Sequence, residues 1–142
     1  GLTFTPGDSV FVTIPGDAAG FPAASFAGKT AEPFTLAPLV VPPTNQNMTV
    51  SWSAATDANA AMLLSFRFHE GSGTGLNQQL LCDFRDDGTG SVQAALIARW
   101  VASGDRDVFA ERLRTAIVRV PSATDAFINL VSTFDLPTPV SP

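Results

Sequence analysis

Tyrosine is absent from this chain, and cysteine, histidine and lysine occur once each, at Cys82, His69 and Lys29. One cysteine excludes an internal disulfide but leaves the compartment open, because exported bacterial domains often fold without disulfides. A lone histidine with no second His or Cys at a ligand spacing excludes a recognisable zinc-type site. Positive charge is scarce: 8 Lys and Arg stand against 13 Asp and Glu, a net charge of −5. Binding to a phosphate backbone needs a basic patch, so a nucleic-acid partner is excluded. No apolar run approaches the roughly 18–20 residues that span a bilayer. No GxxxxGK[ST] loop and no G-x-S-x-G elbow is present, and the GSGTG stretch (71–75) lacks nucleotide-loop spacing. An initiator methionine is also missing. Gly1 reads as a tag scar or trimmed start, with any export signal or lipid anchor expected upstream.

What is present is an apolar chain punctuated by turn residues. Of 142 residues, 45 % are hydrophobic, including 11 phenylalanines, which is enough to build a dry core in one domain spanning 1–142. The single lysine among seven arginines suggests a GC-rich bacterial gene.

Residues 2–15 open with a Pro6-Gly7-Asp8 turn and then alternate, Val10, Val12 and Ile14 against Ser9, Phe11 and Thr13, the period of a half-buried strand. Short strand pieces at 21–26 and 33–36 are bounded by prolines. The segment 37–47 carries Pro42-Pro43 and reads as a Pro-rich crossover between sheets, with a domain linker as the alternative. Met48, Val50 and Trp52 alternate with polar residues. Met62, Leu64, Phe66 and Phe68 then form an inward row, joined through the Gly-rich loop to Leu80, Cys82 and Phe84 as a hairpin. After the acidic turn 85–90, residues 93–101 read as a short helix. Residues 107–120 fit either a helix face (Phe109, Leu113, Ala116, Ile117, Val120) or a strand, and the β-branched AIVRV favours the strand. As a strand it needs a bulge near 115–117 to bring Phe109 and Leu113 onto the side of Val118 and Val120. Residues 126–134 make a last strand before the Pro-rich tail 137–142. The expected fold is all-β, an antiparallel immunoglobulin-like sandwich of about eight strands with one short helix in a crossover. Trp52, Leu64, Phe66, Leu80, Cys82 and Ile128 are its expected core.

FPAASF, MTVSWS and LLCDFRDDGTGSV followed by AALIARW together resemble a poorly characterised family of β-sandwich domains from secreted proteins and lipoproteins of Gram-negative bacteria. More loosely the chain is similar to fibronectin type III domains, with Trp52 in the place of their buried tryptophan. The resemblance covers most of 21–134. It implies a sandwich fold and an extracellular or periplasmic setting, with a lipid anchor upstream, and it brings no catalytic residues.

Few residues suggest chemistry. The run 83–88 resembles a calcium loop but places Arg85 and Ala94 where oxygen ligands belong, so a solvated turn is expected and no metal or cofactor. His69, Glu70 and Asp83 are the only group a hydrolase could gather. Asn47-Met48-Thr49 matches a glycosylation sequon, coincidental in a bacterial chain. Arg112, Arg114 and Arg119 are expected to pair locally with Asp105, Asp107 and Glu111. Trp100 is the one candidate ligand contact: exposed, it is a platform for a sugar or a partner, and its apolar turn (Ala95, Leu96) favours burial. The reading that survives is a non-enzymatic envelope or secreted module, a spacer or a binder of an unknown protein. A carbohydrate-binding module using Trp100 is the alternative, and a hydrolase comes third.

Overall fold

The computed structural model describes residues 4–18, 20–120 and 126–142; Gly1 and the start of the 2–15 stretch lie outside the described residues. In chain order the elements are β1 (Ser9–Ile14), β2 (Ala24–Lys29), β3 (Met48–Ser51), β4 (Ala60–Phe68), β5 (Gln78–Arg85), β6 (Thr89–Val92), α1 (Ala94–Ala102), β7 (Arg106–Arg119) and β8 (Phe127–Asp135). All pairings are antiparallel. The largest sheet runs β5-β4-β7-β8, and two two-stranded ribbons, β1-β2 and β3-β6, complete the set. The result is an all-β, sandwich-like fold and not a closed barrel.

Alternation explains the layers. Side chains in a strand point to opposite faces by turns, so one row can be wholly apolar while its neighbour stays wet. Met62, Leu64, Phe66 and Phe68 of β4 meet Met48 and Val50 of β3, Trp52, and Val92 of β6 in the main core. Trp52 bridges to Leu36, the single pairing made by the predicted 33–36 piece. Leu80, Cys82 and Phe84 face the same core but remain half-buried, because β5 is an edge strand. Ile128 is half-buried outside that cluster.

The helix closes one end of the core. Its buried residues are Ile97 and Trp100, while Ala95 and Leu96, expected on the apolar turn, are exposed. Gln93 at the N-cap makes no side-chain cap bond. Asn47 supplies one instead: its Oδ1 accepts the Ala94 N–H at 2.9 Å. At the other end Arg106 donates to the Trp100, Val101 and Ser103 carbonyls, placing a cation where a helix dipole is negative.

Residues 107–120 are strand, and the expected bulge is absent. The β7 register runs without a skipped residue against both β4 and β8. The inward row is therefore Val108, Ala110, Arg112 and Arg114, and Phe109 and Leu113 point outward. Two arginines stand where the pattern asked for hydrophobes. Beyond β8 the chain returns to β7, where Val108 and Val140 exchange two hydrogen bonds of 2.8 Å.

Candidate functional site

The polar residues singled out in the sequence fall into two groups, those the fold consumes and those it leaves facing water. Asp86 belongs to the first. Its turn was expected to be solvated, yet its side chain is fully buried. Oδ2 accepts Arg112 Nε at 2.6 Å, and Oδ1 accepts Trp52 Nε1 at 2.7 Å and the Ala55 N–H at 3.2 Å. Arg112 spends its remaining donors on Asp86 Oδ1 and on the Ser53, Glu32 and Pro33 carbonyls. Its guanidinium also lies 5.2 Å from the centre of the Phe34 ring. A buried charge pair survives only when its lone pairs and protons are all matched, and here they are. Asp86 itself therefore has no oxygen left to offer a ligand.

Arg114, two residues along the same row, is held by Glu32 (2.6 Å) and Asp57 (2.8 Å). These bonds hold the Glu32 carboxyl far below the usual carboxylate range, lower Asp57 as well, and raise Arg114. The partners of Arg112 and Arg114 are thus distant acids, not the neighbouring Asp105, Asp107 and Glu111. Asp107 instead binds Arg67 across the sheet through two bonds of 2.7 and 2.8 Å, and Arg119 is exposed.

The hydrolase trio does not converge. His69 directs Nδ1 to the Gly75 carbonyl at 2.6 Å and Nε2 to the Gly71 carbonyl at 3.1 Å, so its ring ties down the Gly-rich loop. Glu70 is paired with Arg99, and Asp83 lies exposed on the other face of the β5 strand. Among the described residues no group of three or more His, Cys, Asp or Glu side chains is placed to hold a metal ion. Cys82 is half-buried, and burial raises its thiol pKa, which lowers the thiolate fraction and with it the reactivity.

Trp100 is entirely buried. It meets Phe66 edge-on with ring centres 5.4 Å apart, donates Nε1–H to the Asp107 carbonyl at 3.0 Å, and has the Arg106 guanidinium 5.1 Å from its ring centre. Sugar stacking needs an open ring face, and this ring offers none.

The surface with contact potential is the outer face of the four-stranded sheet. Leu81, Ile117, Phe127 and Val131 are each more than half exposed there. On β7 and β8, Ile117 sits opposite Asn129, so Phe127 and Val131 flank it diagonally, within reach for large side chains. Towards β5, Leu63, Leu81 and Phe109 wall a shallow depression of about 350 Å³ with Arg67 and Glu111 at its ends. Glu111 faces Leu63 on one side and Asp135 on the other. Burial, reinforced by the Asp135 charge, raises its pKa. A second hollow, about 430 Å³, is bordered by Lys29, Asp57 and Arg114, whose charged groups are already paired, Arg114 with Asp57 and Glu32 and Lys29 with Glu32.

No family model matches the chain, and no curated protein or solved structure matches it either. Sequence reading missed this outer face because it placed Phe109 and Leu113 inward. The signal was available: unbroken alternation through β7 puts Phe109, Leu113 and Ile117 on one row. No helix among the described residues is long and apolar enough to cross a membrane.

Proposed function

We propose that this domain is a non-enzymatic module of a bacterial secreted or cell-envelope protein, acting by binding another protein through the outer face of its large sheet. The observation that carries the reading is the exposed apolar cluster Ile117, Phe127 and Val131 at one end of the outer sheet face, with Leu81 exposed towards its other end. A spacer gains nothing from such a face, whereas a binding site does. The burial of Trp100 weighs against the sugar-binding alternative, and the separation of His69, Glu70 and Asp83 weighs against a hydrolase. The lipoprotein and export setting follows from the resemblance alone.

The test is cross-linking of the domain within the envelope fraction of its host, comparing wild type with the triple variant Leu81→Ser, Ile117→Ser, Val131→Ser. These side chains are exposed, so the variant should keep its melting temperature within a few degrees. One saturable protein partner should be captured by wild type and lost by the variant. Equal capture by both, or none by either, would discard the outer face and leave a spacer.

A further inference from the structure

The β1 edge is open, and its backbone chemistry says what fits it. Thr30 donates its N–H to the Asp8 carbonyl at 2.9 Å, and the register then runs unbroken from Ser9 opposite Lys29 to Ile14 opposite Ala24. Bonded and non-bonded pairs alternate in an antiparallel ladder. Val10, Val12 and Ile14 therefore turn their N–H and C=O groups towards β2. Ser9, Phe11 and Thr13 turn theirs away from it, and among the described residues no strand lies on that side. Phe11 is 81 % exposed, the most exposed large hydrophobic side chain of the described residues.

Edge strands ordinarily carry a charge, a proline or a bulge that discourages pairing. β5, at one edge of the large sheet, carries Asp83 and Arg85. β1 reads SVFVTI, with no charge, no proline and a regular register. Among the described residues β8, the other edge of the large sheet, carries its one charge, Asp135, at its end, whereas β1 carries none and also presents the most exposed large hydrophobic side chain, Phe11.

We propose that β1 pairs edge to edge with β1 of a second copy of this chain, antiparallel about a two-fold axis at Phe11. The register follows from the direction of the free groups. With Phe11 facing Phe11, Ser9 of each copy faces Thr13 of the other, all three outward residues are bonded, and about six hydrogen bonds form. Shifting the centre to Val12 sets Ser9 against Pro15, which has no N–H to give. The chain carries −5, so two copies repel at long range, and these six residues add no charge of their own to the interface. The Phe11 rings gain a cross-strand aromatic pair. One short strand pair falls below the roughly 1,200 Å² of a stable interface, so the dimer is weak and concentration-dependent. This proposal is independent of the outer-face reading and uses a different surface.

Sedimentation velocity up to about 1 mM should show wild type passing from monomer to dimer, and Phe11→Lys staying monomeric with its melting temperature unchanged. The register is checked in a Cys82→Ser background with a thiol cross-linker shorter than about 10 Å. Phe11→Cys should link to itself, and Ser9→Cys should link to Thr13→Cys. Thr13→Cys should not link to itself, being roughly 13 Å from its counterpart along the strand. Should the background variant fold poorly, hydrogen exchange on wild type serves instead: the Ser9, Phe11 and Thr13 amides should slow at high concentration while Val10 and Val12 stay unchanged. A wild type monomeric at 1 mM overturns the proposal. So do equal cross-linking at all three positions and exchange that does not depend on concentration.

Discussion

Asp86 gathers an arginine, an indole and a backbone amide on two oxygen atoms with no water access. Asp86→Ala should therefore cost about 3–5 kcal/mol, since it strands the buried Arg112 charge and the Trp52 N–H together. Urea denaturation followed by tryptophan fluorescence measures this, and a loss under about 1 kcal/mol would show that the pair is worth little. This residue was illegible in the sequence for a physical reason. Aspartate in an acidic, glycine-containing turn is solvated by default, and its burial depends on an arginine 26 positions later. Trp100 was easier to read, because an indole on an apolar helical turn is favourably buried, whereas Cys82, expected in the core, is only half-buried because its strand is an edge.

At the level of elements, β4 and β5 were legible because their inward rows are purely apolar, and the helix because a turn and an apolar repeat bracket it. β7 was legible as a strand but not in its orientation. Arg112 and Arg114 break its inward row, so a hydrophobic count points to the wrong face. The same arginines fasten β7 to segments it does not pair with. Arg114 joins it to Glu32 beyond β2 and to Asp57 before β4. Both carboxyls are shifted down in the folded state, so the unfolded chain binds protons more readily. Their stabilisation is present above the unfolded carboxylate pKa and is lost as pH falls. The melting temperature should decline below about pH 5. Glu32→Gln should lower stability at pH 7 by about 2 kcal/mol and flatten that decline. A parallel acid limb in the variant would mean that other carboxylates govern it.

For the molecule as a whole, strand alternation and proline punctuation announced a sandwich of eight strands. They could not announce which polar groups would be walled in, because that depends on contacts between distant parts of the chain. The Arg112 guanidinium is the clearest case, binding partners 26, 59 and 80 residues away in sequence. Such a knot has an order in time. The turn at Asp86, the Ser53 carbonyl and the 32–33 backbone must all have arrived before one side chain can tie them. Closing loops of that length is entropically slow, so the knot belongs after the folding barrier rather than before it. Arg112→Lys, which keeps the charge but loses the fork, should leave the folding limb of a chevron plot nearly unchanged. A loss of ~2 kcal/mol would then emerge as unfolding roughly thirtyfold faster. Slowed folding would place the knot in the nucleus instead. If it forms last, the arginine sets how long the finished domain lasts and not how quickly it is made.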